Sequence, residues 1–548
     1  MPKIIIIGAG ISGLSCAYDL ISRGYEVEIY ERGDTFGGQA KSLRTNKCFV
    51  PYAWRIWTNY YYNFLDITGN IPFENGKTVR DNIVPIPKYT HELQNKNGRQ
   101  VSGGTTLDPK NFNSRSDYYR VWNKLLNMFL FSDKRLREND ITFYDYIDPK
   151  DKPTEDFAME FVGPIIGMEA KKATLFCITK GWEVTYLSRS IHTGLFDQSQ
   201  IYVANGPYSE VIFNPWVKYL VEQGVTIHTN AEITYINYDK IAKKIVSIDT
   251  VDQKSISADD FIICMDQSSI SKLINTNKDL MDIEMLKKST ELSTYGNEMY
   301  FGMVLHFSEK FDPPLGTGCA QTQPWKVVIE NFSASWGKKY IEHCKSEEII
   351  QASCLDLYPG LNGKMLHECS VEEAIQETIE QLRRSKLMKD LKTTSGKSIW
   401  EVFTGYDIWP EWINGKDGKI TNKNNFYKFS INKNCWDLMP STKTPVKNLF
   451  FGSVITKTEV PMVSMEIACS NGRHAAKAIC EKYQTSSPHV YKHPGFLPKI
   501  LAPYRGMDWV LFSMGIRSNM IVVFILMNIL FIIMLILLIR GIYRQFKG

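Results

Sequence analysis

The sequence predicts an α/β fold in three parts: a discontinuous Rossmann-like nucleotide-binding domain, an α+β domain that interrupts it, and a C-terminal transmembrane helix. Three observations predict it. An apolar run, Lys3-Ile4-Ile5-Ile6-Ile7, leads into Gly8-Ala9-Gly10-Ile11-Ser12-Gly13. A second run, Glu26-Val27-Glu28-Ile29-Tyr30, ends at the acid Glu31. Met520 to Ile539 carries no charge at all.

Lys3–Ile7 reads as a buried parallel strand, because β-branched side chains follow one another without polar alternation. Leu14, Ala17, Tyr18, Leu20 and Ile21 recur at helical spacing and predict a helix that stops at Gly24. Each glycine of the intervening turn has its own task. Gly8 permits the tight turn, Gly10 lacks the Cβ that would hold a pyrophosphate away, and Gly13 lets helix and strand pack closely. Ile11 and Ser12 open the helix, whose free N–H groups and partial positive charge suit phosphate. Glu31, with Arg32 beside it, follows by about 20 residues, where a carboxylate accepts from ribose hydroxyls. An acid there disfavours a 2′-phosphate, so NADP is not expected.

The chain has 548 residues, more than one compact domain uses. Its 64 basic and 59 acidic residues leave a net charge of +5, and no basic stripe is interleaved with aromatics; a nucleic-acid partner is not expected. Eleven cysteines, from Cys16 to Cys480, show no CxxC spacing. Zinc ribbons and disulfide frameworks are therefore not expected, and reduced thiols in a cytosolic compartment are the simplest reading. Cys264, inside Phe261–Met265, reads as a small core residue. No metal site is expected: no metal-ligand spacing, paired carboxylates or Ser/His/Asp set stands out. The nine histidines are dispersed; His228 in a strand pattern and His474 in a helix pattern read as structural. Catalytic residues are not identified. The first strand begins directly after Met1-Pro2, which is read as leaving no room for a signal or transit peptide.

The residues after Glu31 separate the possible dinucleotides. Asp34-Thr35-Phe36-Gly37-Gly38-Gln39-Ala40-Lys41-Ser42 places a second glycine pair behind the ribose-binding acid. Three segments follow in order: Val50-Pro51-Tyr52-Ala53-Trp54-Arg55-Ile56-Trp57; Gly206-Pro207-Tyr208-Ser209-Glu210, continuing to Ala231-Glu232-Ile233; and Asn448-Leu449-Phe450-Phe451-Gly452-Ser453, with Val463-Ser464-Met465-Glu466 behind it. In this combination the chain resembles the superfamily of flavin-dependent amine oxidases, phytoene desaturases and hydroxysqualene dehydroxylases, over roughly residues 1–70, 195–275 and 440–482. The resemblance implies FAD as cofactor. It implies that Gly37, Gly38 and Gln39 meet the pyrophosphate and ribityl chain, and that Tyr52, Trp54 and Arg55 run past the flavin ring. It places the adenine near Ile233, Gly452-Ser453 at a ribityl hydroxyl, and the helix start at Ser464 and Met465 at the ring's O2 and N1 edge. A helix starting near Met465 would aim N–H groups there and stabilise negative charge on the reduced ring.

Three positions depart from the superfamily pattern. Gln39 stands where many relatives carry Arg or Lys, and Pro51-Tyr52-Ala53 where Glu-His-Gly is frequent. Gly452-Ser453 replaces Gly-Asp, at a cost of about 1 kcal/mol in hydrogen bonding to the ribityl chain.

The resulting organisation is an FAD-binding domain of residues 1–85, 195–275 and 440–483 and a substrate domain of 86–194 and 276–439. An interfacial linker (484–519), a transmembrane helix (520–539) and a short basic tail (540–548) follow. At about 1.5 Å per residue, Met520–Ile539 spans a hydrocarbon core of about 30 Å as a single-pass C-terminal anchor. Phe496, Leu497, Trp509 and Phe512 mixed with Lys499, Arg505 and Arg517 suit a membrane interface. Basic residues flank both ends of the span, so the positive-inside rule is nearly balanced, and a cytosolic body is the default expectation. Trp54, Trp57, Tyr60 and Tyr61 are expected to line the flavin cavity, and Trp409 and Trp412 the substrate lobe.

Three functions remain open at this point. The first is a membrane-anchored FAD oxidoreductase that dehydrogenates or desaturates an apolar isoprenoid or lipid substrate by hydride transfer. The second is a flavin amine oxidase that produces hydrogen peroxide. The third is a catalytically degenerate membrane scaffold of the same fold. Neither the oligomeric state nor the electron acceptor follows from the sequence.

Overall fold

The isoleucine run Lys3–Ile7 (β1) is the middle strand of a five-stranded parallel sheet. It pairs on one side with Glu26–Tyr30 (β2), which pairs with Thr226–His228 (β3). On the other side lies Asp260–Ile263, and beyond it Leu449–Phe451; these are β4 and β5. Ile4, Ile5 and Ile6 are fully buried, and cover on both faces is why the run does not alternate. His228 stacks on Tyr30 and lies 3.2 Å from Glu28, a structural position.

The computed structural model describes residues 1–58, 60–86, 89–94, 100–102, 109, 112–166, 168–185, 201–320, 322–458, 460–492 and 496–547. The expected boundary at 195 lies outside the described residues. Seven helices position the site and the C-terminus: α1 (Ile11–Ile21), α2 (Arg115–Leu130), α3 (Asp133–Glu138), α4 (Leu175–Thr185), α5 (Met465–Lys482), α6 (Phe496–Ser513) and α7 (Met520–Lys547). α1 and α5 cross at glycine: a Cβ on Gly472 would stand 2.1 Å from the Ser12 carbonyl oxygen. Arg473 clamps the pair, at 3.1 Å from Asp19 of α1 and 2.8 Å from Asp66.

A second sheet has seven strands in the spatial order Phe403–Ile408, Tyr300–Phe307, Glu348–Leu355, Val327–Asn331, Thr317–Ala320, Tyr89–Gln94 and Gln100–Ser102. Its pairs are antiparallel except that between Thr317–Ala320 and Tyr89–Gln94. Every residue of Tyr300–Phe307 and of Glu348–Leu355 is buried, so this sheet too is covered on both faces. A two-stranded ladder beside it joins Asn297–Glu298 to Lys428–Phe429.

The helices α2, α3 and α4 receive the C-terminal segment. Asp508 of α6 has a side chain only 1% exposed. It accepts from Ser132 N and Oγ, each at 2.8 Å, and from Arg135 Nη1 at 2.7 Å. Arg505 pairs with Glu183 of α4. Asn127 of α2 accepts from Met520 N at 2.7 Å and so caps α7 against the body. The stretch expected as a linker thus contains a docked helix, with Trp509, Val510 and Met514 turned outward. α7 runs without a break to Lys547, so the basic residues expected as a tail continue the helix. From Met520 to Arg540 its mean hydropathy is 3.3, long and apolar enough to cross a membrane.

One expectation is overturned. Cys48 and Cys344, 296 residues apart, form a buried disulfide. Local spacing rules detect only neighbouring cysteines. This pair is made by the fold, which lays the hairpin Ser42–Arg44/Phe49–Pro51 against the helix Lys338–His343. The other nine cysteines are free and buried, Cys264 among them.

Candidate active site

The turn after β1 opens into a cleft of about 430 Å³ lined from both sheets. Ile7, Tyr30, Cys264 and Ser453 mark the carboxyl ends of four parallel strands at its wall, the edge where open α/β sheets bind ligands. Tyr300, Val328, Ser353 and Leu355 come from the seven-stranded sheet.

Gly8, Gly10, Ile11, Ser12, Glu31 and Arg32 line one end. Both Glu31 oxygens are used within the loop: Oε2 accepts from Ala9 N at 2.9 Å and Oε1 from Gly33 N at 3.0 Å. Arg32 donates to Ser269 Oγ at 3.1 Å. The second glycine pair lies directly against the first. Gly10 and Gly37 form a parallel bridge, and Gly37 N donates to Ala9 O at 2.9 Å. Gly37 has φ +101°, and a Cβ there would enter the Phe213 ring at 2.4 Å, so only glycine fits. Next to it, Gln39 Nε2 donates to Tyr427 O, and Arg55 Nη2 donates to the Gln39 carbonyl at 2.9 Å. Ile233, within the wall segment Ala231–Thr234, also lines the cleft.

Farther along, the N-terminus of α5 faces the cleft through Ser464, Met465 and Ala468. Ser464 caps it, accepting from Ile467 N at 3.2 Å. Ser453 Oγ donates to Met265 O and accepts from Ile455 N at 3.4 Å, which leaves one lone pair. Trp54, Arg55, Tyr60 and Tyr61 line the inner part.

Three residues named from the sequence lie outside the lining. Gly13 is a packing residue: its Cβ would fall 2.0 Å from Gly8 O, the close approach of helix and strand. Gly452 packs on Ala475 and Cys264. Tyr52 is 1% exposed and points into the core, with its ring 5.7 Å from Trp409 and 5.9 Å from Trp412. Trp57, Trp409 and Trp412 share that fate: they are core, not wall.

Lys428 went unrecognised in the sequence. The two-stranded ladder delivers it to the cleft with its side chain 12% exposed. Its Nζ lies 3.1 Å from Ser430 Oγ, 3.9 Å from Glu298 Oε2 and 4.9 Å from the centre of the Tyr300 ring. Burial pulls its pKa down to about 8, against the attraction of Glu298. Lys41, which donates to Thr35 Oγ1 at 2.8 Å, is also held below the ordinary lysine value by burial. No motif marks Lys428; only the pairing of residues 130 positions apart in sequence brings it next to Glu298.

This is the architecture of a flavin oxidoreductase: a nucleotide turn, a second glycine pair and a helix N-terminus share one wall, and the other wall is a second sheet. A family model for flavin containing amine oxidoreductases matches residues 11–480, and the chain belongs to that family. Among curated relatives, the polyenoic fatty acid isomerase of Ptilota filicina is 26% identical over 254 residues, 43% of this chain and 50% of that protein. The zeta-carotene desaturase of Arabidopsis thaliana is 29% identical over 97 residues, 18% of this chain and 16% of that one. The chain thus spans half or less of the length of these relatives. A solved putrescine oxidase bound to putrescine superposes with a TM-score of 0.63 at 13% identity, covering 88% of this chain and 99% of that one. That likeness shows the shared fold.

Proposed function

We propose that this chain is a membrane-anchored oxidoreductase that holds FAD in the cleft and dehydrogenates or desaturates an apolar substrate, an isoprenoid or another lipid. The observation that carries this is the division of one cleft into two ends. One part is backbone and small residues shaped for a dinucleotide; the other carries the aromatic and apolar side chains Tyr60, Tyr61, Tyr300, Val328, Leu355 and Met462, with the cations Arg55 and Lys428 among them.

The residues fit FAD on their own geometry. Gly10, Gly37 and Gly38 form a surface that side chains would fill. Glu31, fixed by two N–H groups, keeps lone pairs for ribose hydroxyls. The starts of α1 and α5 present N–H groups to the pyrophosphate and to the far end of the cofactor. FAD, when bound, accepts hydride from the substrate. The protein orients the reactants, keeps water from the inner cleft and favours negative charge at the start of α5.

The C-terminus supports the lipid assignment. α7 is exposed along its apolar length, and the docked α6 turns Trp509, Val510 and Met514 outward beside it. A bilayer covers both surfaces in this reading, and the fatty acid isomerase and carotene desaturase relatives carry names of apolar substrates. Amine oxidation is the second reading, favoured by the putrescine oxidase fold. The inner cations Arg55 and Lys428 work against it, since they repel a protonated amine.

The test is the detergent-solubilised protein itself. It should release FAD on denaturation, sediment with membranes before solubilisation, and lose its flavin absorbance when an isoprenoid or lipid substrate is added without oxygen. Release of no flavin refutes the proposal. Hydrogen peroxide formed from an amine panel selects the second reading.

A further inference from the structure

Two cations meet at the inner end of the cleft, and only one of them has an acidic partner. Arg55 donates to two backbone carbonyls, Gln39 O at 2.9 Å and Trp54 O at 3.4 Å. Among the described residues, no carboxylate oxygen lies within 4.0 Å of its guanidinium. The ionisable groups that act on it most strongly are the phenols of Tyr208, Tyr52, Tyr61 and Tyr300, which are neutral at physiological pH. Lys428 lies close enough for the Arg55 charge to bear on it, and its Nζ is 3.9 Å from Glu298 Oε2.

Arg55 therefore has no carboxylate within ion-pair reach among the described residues, in a cleft whose lining includes Tyr60, Tyr61, Tyr300, Val328 and Leu355. A buried charge without a counter-charge is costly, and proteins keep one where a ligand completes it. The pair stands with Tyr300, Val328 and Leu355, the side contributed by the seven-stranded sheet and its ladder, whereas the nucleotide turn and the α5 N-terminus serve the cofactor's own charges.

We propose that the inner cleft binds the carboxylate head of the substrate between Arg55 and Lys428, so that the substrate is an apolar carboxylic acid of the fatty-acid class. One guanidinium without an acidic partner matches a monoanion and undercompensates a phosphate monoester or diphosphate. The planar guanidinium also offers two parallel N–H groups that suit a carboxylate. This assignment rests on the apolar-substrate reading above and narrows it.

The experiment titrates the full-length holoprotein in detergent with octadecanoic acid, 1-octadecanol and octadecylamine, and follows the flavin difference spectrum. The three probes share one chain and differ in head charge. The acid should bind at least about 10-fold more tightly than the alcohol, the worth of one charge-assisted hydrogen bond, and the amine most weakly. Arg55→Met should weaken acid binding by about 10- to 100-fold relative to alcohol binding in the same flavin-loaded variant, an effect partly restored in Arg55→Lys. Lys428→Met should weaken acid binding less, because Glu298 already balances that charge.

Equal binding of acid and alcohol, or preference for the amine, overturns the carboxylate site while leaving an apolar cleft. Binding of none of the three overturns the apolar reading itself. A folded Arg55→Met protein that purifies without flavin assigns Arg55 to the cofactor and overturns the proposal. Should the variants fail to fold, the wild-type ratio of acid to alcohol affinity decides alone.

Discussion

Asp508 ties the C-terminal segment to the body, and Asp508→Ala measures how firmly. Its carboxylate is 1% exposed and accepts three hydrogen bonds, two from Ser132 and one from Arg135. Truncation leaves the Arg135 side chain, itself 10% exposed, with Ser518 O at 3.0 Å and the Phe131 ring at 3.7 Å but no counter-charge. Removing one partner of a buried ion pair costs about 3–5 kcal/mol. The assay is denaturant unfolding of α2, α3 and α6 in detergent, read by tryptophan fluorescence, with limited proteolysis between 493 and 519 as a local probe. The expected outcome is a loss in that range together with faster cleavage of α6. The double variant Arg135→Met/Asp508→Leu should recover most of the loss, because an apolar pair of similar volume replaces a buried ion pair at little or no cost. A loss below about 1 kcal/mol for Asp508→Ala would show the pair to be solvated in the protein and the docking of α6 to rest on apolar contact alone.

Lys428→Met tests the burial of that ammonium by pH. The folded pKa of about 8 lies below the ordinary lysine value of 10.5, so below pH 8 both states are charged and the full burial cost is present. The variant should therefore be more stable at pH 7, by up to about 3 kcal/mol. The gain should shrink as pH rises from 8 towards 10.5, where the folded protein has lost that proton and the unfolded chain still holds it; equal gains at pH 7 and 10 in chemical unfolding would count against it. Gly472→Ala sets a helix-propensity gain of about 1 kcal/mol against a Cβ placed 2.1 Å from Ser12 O. The contact is backbone, α1 and α5 must part, and a net loss of at least about 2 kcal/mol is expected by the same measurement. Reduction of Cys48–Cys344, or Cys344→Ser, should lower stability by about 2–5 kcal/mol and slow the chain in non-reducing electrophoresis, by opening a closure that spans 296 residues.

The legible parts of this protein are those where local sequence decides local structure. β1, the glycine turn and α1 are consecutive, and each residue's task follows from the backbone it must adopt or approach. α7 is legible for a similar reason, since twenty uncharged residues in a row, all apolar but Asn528, need no tertiary context. The inner cleft is different. Lys428 arrives by pairing with Glu298, Tyr52 turns away from the cleft at the end of a short strand, and Cys48 meets Cys344 only after two distant segments pack. Tryptophan content misled for the same reason: Trp54 lines the cleft, while Trp57, Trp409 and Trp412 are among the core residues. An aromatic side chain is equally suited to wall and core, and only the three-dimensional partners choose.

The positions that break the superfamily pattern bear on whether the cleft works. Each is taken up by a specific contact. Gln39 is held by Tyr427 O through its amide and by Arg55 through its carbonyl. Ser453 gives its proton to Met265 O and keeps one lone pair. Beside Ala53, Trp54 N donates to Ser353 Oγ at 2.8 Å, which fixes the backbone where a smaller residue is frequent. A scaffold drifting from an enzyme would have no need for these replacements. Arg55, bonded to the Gln39 carbonyl, lines the cleft together with Lys428.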